Sequence, residues 1–136
     1  MHALKTFIVE DSQVIRDSLV ATLEELTPVK VVGTCETEMT AIQWLGATDY
    51  PVDLVIVDIF LKSGSGLGVL RAMQKLQGPG AVVVLSNYAT ADIRRKCLDL
   101  GADRVFDKSN EIDALIAYCN ALAQGEPDGV SAEAAP

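Results

Sequence analysis

Residues 54–58 read Leu54-Val55-Ile56-Val57-Asp58, four apolar side chains in succession closed by a carboxylate. A strand with one wet face alternates apolar and polar residues. An unbroken apolar run of this length instead suits a strand covered on both faces, as in a parallel sheet between two layers of helices. Working outward, runs of the same kind recur at residues 6–9, 30–33, 81–85 and 104–106, the last being the shortest.

Helical periodicity fills the intervals. Ile15, Leu19, Leu23 and Leu26 form one stripe on a helix over residues 13–26, ended by Pro28. Thr37 is the expected N-cap of a helix over 38–45 with Ala41, Ile42 and Leu45 turned inward and Trp44 packing. A third helix carries Leu67, Leu70, Met73 and Leu76 and stops at Gly78-Pro79-Gly80. A fourth begins near Thr90 with Ile93, Cys97 and Leu100 on one face, and a fifth follows Asn110 with Ile112, Leu115, Ile116, Cys119 and Leu122. Cys97 and Cys119 therefore read as core residues. Val14, beside the first stripe, is expected to pack, with contact to a partner protein as a second use. Residues 125–136 show no apolar face and contain helix breakers. The expected organisation is one domain over residues 1–124, a disordered tail over 125–136, and no output domain. Five βα units imply an α/β doubly wound, five-stranded parallel sheet with helices on both faces.

Composition supports this and narrows the function. The chain has 136 residues, 49% hydrophobic and 22% charged, enough for one buried core. Its net charge of -8 repels phosphate backbones and anionic lipid, so neither direct nucleic-acid binding nor membrane binding is expected. Three scattered cysteines and the single His2 suggest neither a disulfide framework nor a zinc site. The apolar runs are too short to span a bilayer and the first residues lack a signal-peptide core. The expected location is the cytoplasm.

In an open parallel sheet, ligands bind beyond the carboxyl ends of the strands. Reading off those positions gives Glu10 and Asp11 after the first run, Asp58 after the third, Ser86 after the fourth and Lys108 shortly after the fifth. Separately, each has an ordinary explanation: Glu10 and Asp11 suit a helix N-terminus, and Lys108 suits a solvated surface. Together, carboxylates gathered in one pocket call for a neutralising cation, and an all-oxygen set with room for water suits Mg2+ better than a calcium cage. A carboxylate beside Mg2+ can attack a phosphoryl group, with the Lys108 ammonium and the Ser86 hydroxyl each taking a phosphoryl oxygen.

These residues resemble the receiver domains of two-component response regulators, over about residues 5–123. The resemblance is carried by the acidic pair in Phe7-Ile8-Val9-Glu10-Asp11, by Val55-Ile56-Val57-Asp58, by Val84-Leu85-Ser86-Asn87, by the lysine ending Val105-Phe106-Asp107-Lys108, and by Gly66 eight residues after Asp58. It implies a flavodoxin-like sheet of strand order 2-1-3-4-5. It also implies phosphoryl transfer onto Asp58 from a histidine kinase or histidine phosphotransfer protein. Mg2+ would be held by Glu10, Asp11, Asp58 and the main-chain carbonyl of Phe60. The switch would act through Ser86 and Lys108 on a downstream protein, through the fourth and fifth helices. Such a protein is not an enzyme beyond its own aspartyl phosphorylation and dephosphorylation.

Val105, Ser109 and Tyr88 depart from the family's pattern. Ser109 stands where proline usually follows the lysine, so a trans Lys108–Ser109 bond is expected. Val105 occupies the usual aromatic switch position and Phe106 alternates to the other face, so an aromatic rotamer switch is not expected. Phe60 and Tyr88, each two residues beyond a site residue, flank the water path and would shield an acyl phosphate. Other readings are weaker. A flavodoxin would have to place its FMN phosphate against Glu10 and Asp11. A haloacid-dehalogenase-like phosphatase needs an acid where Phe60 stands. A phosphorylation-independent scaffold is the remaining alternative. Gly64-Ser65-Gly66-Leu67-Gly68 lacks the third glycine of a dinucleotide loop and reads as a flexible entry to a helix. Arg94, Arg95 and Lys96 read as a solvated helix face.

Overall fold

The computed structural model describes residues 3–47, 52–76 and 80–125. The run that decides the fold becomes β3 (Leu54–Val57), with all four side chains buried. Around it the chain alternates β1 (Leu4–Val9), α1 (Gln13–Leu26), β2 (Val29–Cys35), α2 (Glu38–Ala47), α3 (Gly66–Leu76), β4 (Ala81–Ser86), α4 (Ala91–Asp99), β5 (Arg104–Asp107) and α5 (Ile112–Ala123). All strand pairs are parallel and the sheet runs β2-β1-β3-β4-β5. The order reverses between β1 and β3, which makes the crevice above those two strands the place for a ligand.

Alternation along the strands divides the core into two layers. Leu4, Ile8, Leu54, Ile56, Val83 and Phe106 face one way, against α1 and α5. Phe7, Val9, Val55, Val57, Val84 and Val105 face the other, against α2, α3 and α4. Val105 and Phe106 are both buried on opposite faces of β5, as their neighbouring positions in a strand require. Cys97 and Cys119 are fully buried, one in each layer, and all three cysteines are free thiols.

Local signals act where the sequence puts them. Ser12 caps α1 by accepting from the Ile15 amide, Thr37 accepts from the Thr40 amide ahead of α2, and Thr90 caps α4 through the Ile93 amide. Trp44 stacks on Phe7 with ring centroids 4.1 Å apart. Gly33 makes the space, since a Cβ there would lie 2.7 Å from the indole.

The structure corrects the reading of α1. Leu19 and Leu23 are buried, but Ile15 is 37% and Leu26 52% exposed, and Val14, expected to pack, is 80% exposed. A fourteen-residue helix is about 21 Å long, and only its middle turns lie over the sheet. The strands run slightly longer than expected at β1, β2, β4 and β5, because pairing with a parallel neighbour extends the ladder past the apolar residues. The Lys108–Ser109 bond is trans, as is every peptide bond among the described residues. The expected tail beyond Gly125, and most of the Gly78-Pro79-Gly80 stop, lie outside the described residues. Among the described residues no helix is long and apolar enough to cross a membrane.

Candidate functional site

Because the strands are parallel, their carboxyl ends share one edge, and the ladder continues into the residues beyond them. The Asp58 amide donates to the Val9 carbonyl at 2.9 Å, the Lys108 amide to the Ser86 carbonyl at 2.9 Å and the Glu10 amide to the Cys35 carbonyl at 3.0 Å. The backbone under each side chain is therefore fixed by the sheet. Glu10, Asp58 and Ser86 are buried, and Asp11 is half-buried.

Glu10, Asp11 and Asp58 present carboxylate oxygens within 4.8 Å of one another. The Lys108 ammonium lies between two of them, 2.5 Å from Glu10 Oε1 and 3.0 Å from Asp58 Oδ2. The second Glu10 oxygen accepts from the Ser12 amide at 3.0 Å, and the second Asp58 oxygen from the Phe60 amide at 3.3 Å. Asp11 Oδ2 accepts from the Lys62 amide at 2.7 Å, tying the β1–α1 loop to the turn after β3. Gly66 is required below this turn, because a Cβ there would fall on the Asp58 carbonyl oxygen.

The electrostatics follow from one ammonium serving several carboxylates. Burial pushes Asp58 above the ordinary carboxylate range, and Glu10 adds to the push, while the Lys108 charge and hydrogen bond offset only part of it. Burial alone would lower Lys108, but its bonds to Glu10 and Asp58 outweigh that and hold it above the ordinary lysine value. With the acids ionised, the cluster carries two uncompensated negative charges. Together with its all-oxygen donor set, this fits a hard divalent cation.

The remaining predicted residues have these places. Ser86 is fully buried and its Oγ accepts from the Tyr88 amide at 3.1 Å. Phe60 and Tyr88 are 51% and 63% exposed and meet edge to face at 5.2 Å, so they contact one another at the mouth of the site. Phe106 packs on Tyr118 at 5.9 Å in the opposite layer from Val105. The Ser109 amide donates to Asp107 Oδ1 at 2.7 Å, closing the turn that would otherwise carry the proline.

Two residues around the site escaped the sequence. Arg16 donates to the Glu10 carbonyl at 2.8 Å and pairs with Glu36 at 3.2 Å. Arg94, read as part of a solvated face, instead donates to the carbonyls of Ala89 and Val105 and to Glu111 Oε1, the last at 2.7 Å. Glu111 in turn accepts from the Asp107 amide at 2.8 Å. Nothing in the linear pattern marks Arg94, since its partners lie on three different segments. Arg95 does keep to the solvated face, paired with Asp92 within the same helix.

The family model for the response regulator receiver domain matches residues 6–120. The chain belongs to this family. Among curated relatives it is 35% identical over 121 residues to a protein of Picosynechococcus sp. named "Probable transcriptional regulatory protein", covering 87% of this chain and 48% of that one. The receiver chain spans about half the length of the curated relatives it matches. Its fold is also that of the isolated REC domain of RcsB from Salmonella enterica serovar Typhimurium, a structure containing the phosphomimetic BeF3-. There the TM-score is 0.78 at 22% identity, over 96% of this chain and 98% of that one. A structure of the Salmonella typhimurium RcsB response regulator, whose subject is DNA interaction, has a TM-score of 0.77 at 23% identity over 97% of this chain and 67% of that chain.

Proposed function

We propose that this receiver accepts a phosphoryl group on Asp58 from a histidine kinase or histidine phosphotransfer protein and, so modified, alters a protein-binding surface. The observation that carries the reading is the convergence of Glu10, Asp11 and Asp58 within 4.8 Å, with Lys108 bonded to two of them, at the carboxyl edge of the sheet.

Glu10, Asp11, Asp58 and the Phe60 carbonyl would hold Mg2+. Bound there, the ion supplies charge neutralisation for an incoming phosphoryl group. Asp58 supplies the nucleophile: a carboxylate oxygen forms the new P–O bond while the bond from phosphorus to the donor's imidazole nitrogen breaks, and the imidazole departs with that electron pair. No base is needed, because no proton has to leave Asp58 once it is ionised. Lys108 would release Glu10 and follow the charge to a phosphoryl oxygen, and the Ser86 hydroxyl would take another. Phe60 and Tyr88 would exclude the water that hydrolyses the acyl phosphate.

Ser86 reaches the surface through the Tyr88 amide it now holds, so its movement would be felt first at the β4–α4 loop and then on α4 and α5. With a net charge of -8 the partner there is taken to be a protein rather than a nucleic acid, and the setting the cytoplasm. The activity proposed is a single-turnover modification of the chain itself.

Intact mass after incubation with acetyl phosphate tests the reading, with Mg2+ or with chelator, on this protein and on Asp58→Asn. One phosphoryl adduct that needs both Mg2+ and Asp58 is the expected result. No adduct from acetyl phosphate or from histidine kinases would leave a phosphorylation-independent scaffold.

A further inference from the structure

The glycine-rich stretch Gly64-Ser65-Gly66-Leu67-Gly68 binds no nucleotide in the reading above, and its glycines still require an explanation. Gly66 makes room for the Asp58 carbonyl, but Gly64 and Gly68 face elsewhere. A Cβ on Gly64 would fall on Glu38 Cβ, and a Cβ on Gly68 would fall on Glu38 Oε2. Both glycines therefore line a socket for one side chain, that of the first residue of α2.

Glu38 occupies the socket with two bonds. Its carboxylate Oε1 accepts from the Ser65 amide at 2.9 Å, and its own amide donates to the Ser63 carbonyl at 3.2 Å. Ser65 also caps α3, accepting from the Leu67 amide at 3.0 Å, so the carboxylate additionally meets the positive end of that helix.

The turn after β3 transmits this contact to the acidic cluster. It is closed by the Gly66 amide donating to the Ile59 carbonyl at 2.9 Å, which pairs Phe60 with Ser65 across an antiparallel bridge. In such a pair the two residues do not bond each other, and their amides turn outward on opposite sides. The Phe60 amide goes to Asp58, and the Ser65 amide goes to Glu38. The tip is held by Asp11 through the Lys62 amide. Three carboxylates thus fix one short turn, and Glu38 is the one outside the acidic cluster.

We propose that Glu38 is a positioning residue for the site. By clamping Ser65 within the socket of Gly64 and Gly68, it sets the placement of Phe60 against Asp58, and with it the affinity of the site for Mg2+ and the rate of phosphoryl uptake. The proposal rests on the phosphoryl-acceptor reading for its functional consequence, not for the clamp itself.

Three variants of this chain test it. Glu38→Ala removes the acceptor, whereas Glu38→Gln keeps an oxygen for the Ser65 amide. Gly68→Ala leaves Glu38 in the chain but pushes its carboxylate out of the socket, while placing a better helix former in α3. Mg2+ binding by titration calorimetry and amide exchange at Phe60, Lys62 and Ser65 are read in parallel with phosphoryl uptake from acetyl phosphate. The expected result is Mg2+ binding weakened roughly three- to ten-fold, faster exchange at Phe60 and Ser65, and slower uptake in both Glu38→Ala and Gly68→Ala, with Glu38→Gln close to the parent. A merely structural role for the clamp would leave Gly68→Ala as good as the parent or better, and that outcome overturns the proposal. So does faster exchange in Glu38→Ala with unchanged Mg2+ affinity. If the parent protein takes neither Mg2+ nor phosphoryl, the acceptor reading fails and the functional proposal fails with it. Exchange at Ser65 and Phe60 then separates that failure from loss of the clamp.

Discussion

Lys108 and Glu10, 98 positions apart in the chain, are joined by a buried ion pair of 2.5 Å that also draws in Asp58. The pair occupies the pocket where a divalent cation would be held, so under the proposed function ammonium and metal would compete for the same oxygens.

Lys108→Ala removes the one cation that, among the described residues, is bonded to the buried Glu10 and Asp58 carboxylates. Breaking a buried pair by deleting one partner costs about 3 kcal/mol. The loss should show in urea unfolding without Mg2+ and should shrink on adding millimolar Mg2+, which supplies the missing charge. Equal losses with and without Mg2+ would mean that ion and ammonium do not share a site.

Arg94→Ala leaves the Ala89 and Val105 carbonyls and the Glu111 carboxylate without their common donor. The guanidinium is over a third exposed, so a loss of about 1 kcal/mol is expected from urea unfolding. Arg94→Lys should rescue little of it, because one ammonium lacks the planar fork that reaches three acceptors. Full rescue by lysine would show that charge alone matters here.

Acid should weaken this same pair. The hydrogen bond from Arg94, with help from the Asp107 amide, holds Glu111 below the ordinary glutamate value. A carboxyl lowered in the folded state adds stability above its unfolded pKa, and that stability disappears as pH falls through the folded value. Asp58, raised mainly by burial, has the opposite sign: its folded state is favoured by protonation, an advantage lost as pH rises through its folded value. Urea midpoints followed from pH 7 downward should fall less steeply in Glu111→Gln than in the parent. Superimposable curves would remove Glu111 from the acid response.

Thiol chemistry should report the layers. Burial pushes the Cys119 thiol up to about 12 and Cys97 upward as well, and both are enclosed. Cys35 is raised too, first by burial, yet it is only half-buried. A maleimide at neutral pH should add once to the native protein, at Cys35, and three times in urea, as read by intact mass. Native labelling at Cys97 or Cys119 would mean that the corresponding layer opens.

Gly33→Ala should disturb the stack of Trp44 on Phe7, since the added carbon would lie 2.7 Å from the indole. Overpacking of this kind destabilises by about 1–3 kcal/mol. Trp44 is the sole tryptophan, so its emission in the native state should shift in the variant. An unchanged spectrum and midpoint would show that α2 moves freely to accommodate the methyl group.

Much of the fold was legible because its signals are local. The apolar run at β3, the caps Thr37 and Thr90, and the stripe through Leu19 and Leu23 each depend on residues a few positions apart. The acidic pair, Asp58, Ser86 and Lys108 were legible because parallel strands bring their carboxyl ends to one edge whatever lies between. Exposure at the ends of α1 was not legible: Ile15 and Leu26 continue the periodicity, and only the extent of the sheet decides where burial stops. Arg94 with Glu111, and Glu38 with Ser65, were illegible for a different reason. A charged residue on a helix reads as solvated unless the loop that meets it is known, and those loops lie 17 and 27 positions away.

The assembly of the site from four strand ends also bears on when it can exist. Glu10 and Asp11 follow the first strand, Asp58 comes from the middle of the chain, and Ser86 and Lys108 come from its second half. In this sheet β3 and β4 lie between β1 and β5, so the contact of Lys108 with Glu10 across 98 positions depends on both being paired. The complete pocket consequently exists only in a sheet whose β1, β3, β4 and β5 are all paired. A chain in which β5 is not docked lacks the Lys108–Glu10 contact, and leaves the Glu10 and Asp58 carboxylates without that ammonium.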